Sequence, residues 1–238
     1  VAYYEMYGYE GLKAFNYTIN YAMGRGMIVI ADCKRNDIGS TAGCYATAYL
    51  GGTKINENTL HAFPADMLTV NGYLGTDGIK PFADECRASG KGAFVLVKTS
   101  NPSSGEIQDL ELANGKKVYE HMGDLVAEWG KDLIGKYGYS DIGAVVGATY
   151  PEQGAQLRKR LPGVFFLIPG YGAQGGSAES IKGCFDERGL GGIVNNSRGI
   201  ICAYKKPQYS GMSYYEAARA ACLDMKEDLA KALGKMGR

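Results

Sequence analysis

The sequence has almost no excess charge of either sign, few histidines and no long apolar run. It carries 26 basic and 25 acidic residues, for a net charge of +1. This balance gives no bulk electrostatic reason to bind nucleic acid or an anionic membrane. The apolar runs are about strand length, well below the roughly 18 residues of a membrane-spanning helix, and no basic and apolar leader precedes them. We therefore expect a cytoplasmic protein without nucleic-acid or membrane partners.

The sequence also lacks the spacings that mark a disulfide framework or a metal site. Its six cysteines are scattered without a Cys-x-x-Cys pair, and a chain of this size does not need disulfides to fold. The two histidines, His61 and His121, have no neighbours at ligand spacing. We expect reduced thiols, no bound metal and no cofactor.

Length and periodicity favour one α/β domain over residues 1–238. The chain is 45% hydrophobic, which is ample for a large core. Apolar, strand-like runs are predicted at residues 28–32, 67–71, 93–99, 142–147, 164–169 and 192–196. Helical patterns follow them at 40–50, 80–89, 116–137, 151–160, 178–185 and 213–233. This alternation is typical of a parallel sheet, although pattern alone does not separate a closed barrel from an open doubly wound sheet.

The placement of polar residues favours the barrel. Polar or charged side chains follow each predicted strand, at 32–37, 71, 99–100, 147–149, 172–174 and 197–198. A barrel brings the carboxyl ends of all its strands to one rim, whereas an open sheet spreads them out.

The most informative cluster contains Asp32, Lys34 and Asp37, which follow the apolar run 27–31. We interpret this run as a buried strand. Asp32 and Lys34 then lie on one face, because side chains alternate along a strand. An ordinary ion pair is one interpretation of Asp32 and Lys34. The second carboxylate, Asp37, favours a lysine primed as a proton donor, although Asp37 is also suited to the start of a helix with Ser40 as its cap.

Four segments resemble motifs of orotidine 5'-monophosphate decarboxylase, in family order. Residues 32–38 (Asp-Cys-Lys-Arg-Asn-Asp-Ile) are similar to its Asp-x-Lys-x-x-Asp-Ile motif. Residues 98–106 resemble the Thr-Ser-Asn-Pro segment of the longer, type 2 bacterial form. Residues 168–176 resemble the Pro-Gly-x-Gly-Ala-Gln-Gly-Gly phosphate loop, and residues 194–200 resemble the terminal Ser-Arg-Gly-Ile segment.

The resemblance implies a metal-free carboxy-lyase that converts orotidine 5'-monophosphate to uridine 5'-monophosphate, the last step of pyrimidine synthesis. It assigns catalysis to Lys34, Asp32 and Asp37, and substrate binding to Ile38, Thr41, Ser100, Pro169, Gln174, Gly175, Ser197 and Arg198. Lys34 would donate the proton, Ser100 would contact the pyrimidine ring, and Gln174 would touch both phosphate and base.

The resemblance further implies a (β/α)₈ TIM barrel and a homodimer. In the family, the residues matching Asp37, Ile38 and Thr41 reach into the partner's active site. Residues 2–5 and a helix over 9–25 resemble the end of the family's second βα unit. We therefore expect the first unit, and the start of the second, to be missing from this chain, through truncation or at a junction with a phosphoribosyltransferase.

Two other functions stay open. A keto-gulonate phosphate decarboxylase or a hexulose phosphate synthase shares the Asp-x-Lys-x-x-Asp core, but has a magnesium-binding acidic residue two positions before the first Asp. Ile30 occupies that position here, which favours the metal-free enzyme. A barrel that binds a nucleotide phosphate without catalysis is the other alternative.

Overall fold

A computed structural model describes residues 1–172 and 175–234. The strands are β1 Ile30–Arg35, β2 Thr53–Ile55, β3 Asn58–Leu60, β4 Met67–Val70, β5 Gly92–Lys98, β6 Ser140–Val146, β7 Val164–Ile168 and β8 Gly192–Val194. The α-helices are α1 Ala2–Glu5, α2 Gly8–Met23, α3 Gly39–Tyr49, α4 Thr76–Ser89, α5 Gly105–Gln108, α6 Val118–Trp129, α7 Pro151–Arg160, α8 Ala178–Ile181, α9 Ser197–Ile201 and α10 Tyr214–Ala232. Short 3-10 helices lie at Pro102–Ser104, Lys131–Leu133, Lys182–Cys184, Ala203–Lys205 and Pro207–Tyr209.

Six strands form one sheet in the order β1-β4-β5-β6-β7-β8, which is also their order in the chain. The pairings of β1 with β4, β4 with β5, and β7 with β8 are parallel. Helices connect successive strands, as parallel pairing requires. The predicted α/β class with a parallel sheet is therefore confirmed.

The chain divides into two compact units. The first contains residues 1–97, 121–144 and 163–165. Its core is apolar, and the largest of its fully buried side chains are Phe82, Leu68, Ile79 and Ile142. Burying a side chain of this size contributes about 1.5 to 3 kcal/mol to folding. This core anchors β1 and β4, which carry the Asp32 and Lys34 cluster.

The second unit contains the described residues of 98–120, 145–162 and 166–238. Phe166 of β7 is fully buried, and the guanidinium of Arg158 lies 3.7 Å from the centroid of its ring. Arg158 itself is 6% exposed and donates to the backbone carbonyls of Cys184 and Gly191, both at 2.9 Å. A buried cation is tolerated where its donors are satisfied in this way. Arg158 thus ties α7 to the segments on either side of it.

Two predicted elements near the amino end are wrong. Residues 2–5 form a helical turn, α1, in which the Val1 carbonyl accepts from the amides of Tyr4 and Glu5; the predicted strand remnant is not present there. The apolar run from Met27 was expected to be a buried strand, but β1 begins only at Ile30, and Ile28 is 75% exposed. Among the described strands, β1 pairs with β4 alone. The start of the apolar run therefore has no second strand beside it to bury its side chains.

Other elements differ in length. The helix predicted over 116–137 ends at Trp129, where Gly130 is followed by a 3-10 turn. The hairpin of β2 and β3 follows α3 and was not predicted, because its strands are three residues each and none of their side chains is buried. No helix in the described part of the chain has both the length and the apolar character needed to cross a membrane.

Gly143 on β6 is a position where packing leaves no room for a side chain. A Cβ atom there would lie 2.6 Å from both the Phe165 carbonyl oxygen and Cδ1 of Phe94. We expect Gly143→Ala to lower the free energy of unfolding by about 1 to 3 kcal/mol, since backbone and ring must move apart. Urea unfolding measures this change. The control is Gly43→Ala in α3, where a Cβ meets nothing within 4 Å and helix propensity predicts a gain of up to about 1 kcal/mol. Equal effects of the two substitutions would contradict the packing argument.

Candidate active site

The pairing of β1 with β4 is irregular at the charged residues of β1. Ile30 and Ala31 pair in register with the start of β4, but the register has shifted by Arg35. Within this irregular stretch, Lys34 has a φ of 50°. The left-handed region is uncommon for a residue with a Cβ atom and costs on the order of 1 kcal/mol or more. The surrounding contacts therefore hold Lys34 in a conformation that its own backbone disfavours.

Those contacts are three hydrogen bonds that join Lys34, Asp32 and Thr69. The Lys34 ammonium donates to Oδ1 of Asp32 at 2.6 Å, and the Thr69 hydroxyl donates to the same oxygen at 2.8 Å. The Lys34 amide in turn donates to Thr69 Oγ1 at 2.9 Å. Thr69 is only 1% exposed and lies on β4. A rigid, buried hydroxyl thus fixes both the backbone and the charge partner of Lys34.

Our sequence analysis did not identify Thr69. The signal was present, since Thr69 is the single polar residue of the strand Met67–Val70. A polar side chain inside a buried strand needs a hydrogen-bond partner. That partner, Asp32, lies 37 residues away in the sequence, so the pairing of strands had to be known first.

The carboxylate of Asp32 is held in its charged form. Partial burial acts to raise the pKa of Asp32, but the hydrogen bond and charge of Lys34, together with the Thr69 hydroxyl, outweigh it and lower the pKa below its usual value. Even so, the side chains of Lys34 and Asp32 are 52% and 60% exposed. The ion pair is therefore accessible to a ligand from solvent.

The remaining residues of this motif lie directly after β1. Asp37 is half-buried, and its carboxylate accepts the amide of Ile38 at 2.8 Å. Helix α3 begins at Gly39 with Ile38 as its N-cap residue and without a side-chain cap. The alternative in which Ser40 caps this helix is therefore wrong, since Ser40 lies inside it. Ile38 and Thr41 are both exposed, so they present their side chains to solvent.

In the second unit, Ser100 follows β5 and is half-buried. Its carbonyl accepts the hydroxyl of Thr149 at 3.1 Å. Gly147 approaches it so closely that a Cβ atom there would lie 2.8 Å from the Ser100 nitrogen and 2.9 Å from its Cα. The segment after β6 thus holds the backbone of Ser100 in place.

The glycine-rich loop after β7 is built from tight turns. Gly170, Gly172 and Gly175 have φ values of 101°, 74° and 95°, a region that favours glycine. The Gly172 amide donates to the Gly176 carbonyl at 2.7 Å, and the Gly175 amide donates to the Gly172 carbonyl at 2.9 Å. Gly175 is exposed. Gln174, which we predicted to bind substrate, lies outside the described residues.

A cavity of about 140 Å³ lies beside this loop. It is lined by Pro169, Gly170, Tyr171, Asn195, Asn196, Ser197 and Arg198. The structure thus brings three predicted binding residues, Pro169, Ser197 and Arg198, to one cavity. Ser197 and Arg198 are exposed and form the first turn of α9. A cavity lined by a serine hydroxyl, two asparagine side chains and a guanidinium is suited to an anion.

The other four lining residues lie in the same two motifs but were not among the predicted binding residues: Gly170, Tyr171, Asn195 and Asn196. Asn196 is the N-cap of α9, and its side chain accepts the amide of Gly199 at 3.1 Å. An asparagine before a helix start was a readable signal. Tyr171 donates its hydroxyl to Asp228 of α10, a contact between distant segments that no local pattern indicates.

Within residues 1–172 and 175–234, no group of three or more His, Cys, Asp and Glu side chains is placed to hold a metal ion. All six cysteines are unpaired thiols. Of these, Cys33 lies between Asp32 and Lys34 but is buried on the opposite face of β1, as the alternation of side chains predicted.

We expect Thr69→Val to raise the pKa of Asp32, because the hydroxyl donates to that carboxylate. The folded-state pKa of Asp32 is lowered, so its charge stabilises the fold above its ordinary pKa. This contribution is lost as the pH falls through the folded value, and Thr69→Val should reduce it. A carboxyl-carbon NMR titration measures the pKa. Thr69→Ser keeps the hydroxyl and should leave the pKa low; an unchanged pKa in Thr69→Val would exclude this role of Thr69.

Comparison with known proteins places these motifs in one family. The model of the orotidine 5'-phosphate decarboxylase / HUMPS family matches residues 2–211. An orotidine 5'-phosphate decarboxylase of Caldicellulosiruptor bescii is 46% identical over 232 residues, which cover 98% of this chain and 75% of that protein. The enzyme of the same name from Rhodopirellula baltica is 44% identical, with 96% of this chain and 76% of the relative covered.

A solved structure agrees with the sequence relatives. The orotidine 5'-monophosphate decarboxylase of Leishmania donovani is 30% identical with a TM-score of 0.71, covering 96% of this chain and 78% of that chain. The resemblance inferred from four motifs is therefore confirmed over nearly the whole sequence, and this chain belongs to the orotidine 5'-phosphate decarboxylase / HUMPS family.

Proposed function

We propose that this chain decarboxylates orotidine 5'-monophosphate to uridine 5'-monophosphate, with Lys34 as the proton donor. The observation that carries this proposal is the accessible ion pair of Lys34 and Asp32, which Thr69 holds at the irregular end of β1. The names of the relatives support the same reaction, since each of those compared is an orotidine 5'-phosphate decarboxylase.

The reaction breaks the bond between the ring and the carboxylate. Carbon dioxide leaves, and the electron pair stays on the ring carbon. The positive charge of the Lys34 ammonium stabilises this carbanion, and its proton then forms the new C–H bond. Water returns a proton to the lysine. Because Asp32 accepts a hydrogen bond from the same ammonium, it holds the donor in position while the substrate binds.

Asp37 has a different role in the proposal. It lies near the substrate carboxylate and disfavours the bound ground state by charge repulsion. Two like charges at about 4 Å, with an effective dielectric constant near 20, repel by roughly 4 kcal/mol. This is a part of the roughly 8 to 23 kcal/mol that enzymes supply in total. The loss of carbon dioxide removes the repulsion.

The other motifs supply the proposed binding contacts. Ser197 and Arg198 bind the phosphate at the cavity beside Pro169, and the planar guanidinium suits two phosphate oxygens. Gly175 is assigned to the phosphate by its place in the motif. Ser100 hydrogen-bonds the pyrimidine ring. Gln174 is assigned to phosphate and base by its place in the motif.

The proposed reaction needs no metal or cofactor, because the lysine itself supplies the positive charge. Ile30, an apolar residue, stands where magnesium-dependent members of the superfamily carry an acidic residue.

We also place the enzyme in the cytoplasm, since six unpaired cysteines fit a reducing compartment. The near-zero net charge supports a small-molecule substrate over nucleic acid.

We propose that the whole chain acts as one domain of the (β/α)₈ type. The strand order follows the chain order without reversal, as in a barrel, whereas a doubly wound sheet reverses its order at a switch point.

We also propose a homodimer with shared sites, in which Asp37, Ile38 and Thr41 reach the partner's site. The exposure of Ile38 and Thr41 supports this arrangement.

Lys34→Ala should lower the rate of decarboxylation by about four orders of magnitude, because one group supplies both charge stabilisation and the proton. Loss of substrate absorbance, followed with a chelator present, measures the rate. The control is Lys80→Ala, which removes an exposed lysine of an ion pair on α4 and should leave the rate unchanged. Binding of uridine 5'-monophosphate without turnover by the wild type would favour the non-catalytic alternative, and inhibition by the chelator would favour a metal-dependent relative.

Shared sites predict that two inactive variants restore activity to each other. Lys34→Ala and Asp37→Ala homodimers should both be inactive. A mixed dimer carries one site with both substitutions and one site with neither, so random mixing should recover roughly a quarter of the wild-type activity. Activity after co-refolding, with light scattering to give the mass, measures this. A mixture as inactive as its components would show that each site is built from one chain.

A further inference from the structure

Lys98, the last residue of β5, is fully buried and takes no part in the proposed reaction. Its ammonium donates to both carboxylate oxygens of Asp109 at 3.0 Å and to the hydroxyl of Ser104 at 3.2 Å. It also lies 4.3 Å from the centroid of the Tyr150 ring. A buried lysine requires compensation of this kind, and these acceptors use all three of its donors.

Asp109 is held in its charged form by this contact. Desolvation acts to raise the pKa of Asp109, but the hydrogen bond and charge of Lys98, with a smaller effect from Gln153, lower it below its usual value. The Gln153 side chain donates to Asp109 at 3.1 Å. Asp109 thus joins side chains from three segments of the chain, through its contacts with Lys98 and Gln153.

A second pair lies directly inside the first. The amide of Thr99 donates to Oε1 of Gln108 at 2.9 Å, and Nε2 of Gln108 donates to Oγ1 of Thr99 at 2.7 Å. Lys98 contacts Asp109, and the next residue, Thr99, contacts the preceding one, Gln108. Together the two contacts hold the ends of the loop of residues 100–107 close to each other. Ser100 is the first residue inside this closure.

The Lys98 side chain is fully buried, whereas that of Asp109 is 29% exposed. An ion pair with one buried partner is better explained here by the geometry it imposes than by a gain in stability. Replacing such a pair with apolar residues of similar size is often neutral or stabilising, whereas its fixed directions can select one conformation. The ion pair of Lys98 and Asp109 lies at the two ends of this loop, and Lys98 is two residues before Ser100.

We infer that Lys98 and Asp109 are positioning residues for recognition of the pyrimidine base, acting through the loop that carries Ser100. This inference rests on the proposed function, which assigns the base contact to Ser100. The pair does not touch substrate. It fixes the loop before the substrate arrives, so that binding does not have to order it.

The test compares Lys98→Met with Lys91→Met. Lys91 is a matched control, because it is also largely buried, donates to the Ala65 carbonyl at 2.7 Å and lies 3.7 Å from Asp66. Amide hydrogen exchange reports the closure of residues 99–108, and calorimetry reports the affinities for uridine 5'-monophosphate and ribose 5-phosphate. In Lys98→Met we expect exchange over 99–108 and the Kd for uridine 5'-monophosphate each to rise about tenfold. The Kd for ribose 5-phosphate should stay within about twofold. Lys91→Met should change none of these.

Unchanged exchange over 99–108 in Lys98→Met overturns the inference, whatever the wild type binds. An equal loss for both ligands overturns it as well, because a general disturbance does not distinguish base from phosphate. A wild type that neither binds nor produces uridine 5'-monophosphate overturns the proposed function, and the exchange measurement still decides whether the pair closes the loop.

The double variant Lys98→Met/Asp109→Leu serves if the single variant does not fold. It leaves no unpaired charge, and we expect its melting temperature to be at or above that of the wild type. Its affinity for uridine 5'-monophosphate should nevertheless fall about tenfold. A stable double variant with wild-type affinity for uridine 5'-monophosphate overturns the inference.

Discussion

The irregular pairing of β1 with β4 is the constraint on which the candidate catalytic cluster depends. Regular pairing would keep Lys34 in extended backbone, whereas the register shift between Ala31 and Arg35 allows its positive φ. Thr69 then bridges the Lys34 amide and the Asp32 carboxylate across the two strands. The position and backbone conformation of the lysine thus follow from one irregularity in strand pairing, and such irregularities are common beside active sites.

The second unit uses two other means to place its polar groups. In the glycine-rich loop after β7, glycines adopt backbone conformations and make close contacts that side chains would prevent. At Gly176, for example, a Cβ atom would lie 2.7 Å from the Ala148 Cβ. Near Ser100, the ion pair that the buried Lys98 forms with Asp109 fixes the loop. Both restrict motion before a ligand binds, and so reduce the entropy lost on binding.

Local pattern was enough to predict much of this fold. The six strands of the sheet follow from short apolar runs, and the alternation that put Asp32 and Lys34 on one face is seen in their exposure. The features that the sequence pattern did not predict depend on contacts with residues distant in the sequence. Ile28 is exposed because of where β1 lies in the sheet. Thr69 and Tyr171 act through partners 37 and 57 residues away, and no local periodicity encodes such contacts.

The left-handed backbone of Lys34 has a consequence for how this protein can be stabilised. Glycine adopts that conformation freely, whereas a residue with a Cβ atom adopts it at a cost on the order of 1 kcal/mol or more. Thermostability alone would therefore favour glycine at position 34. Under the proposed function, a lysine at this position gives up stability for activity. Consensus or thermostability engineering of this chain should therefore keep Lys34 and the register shift of β1 unchanged.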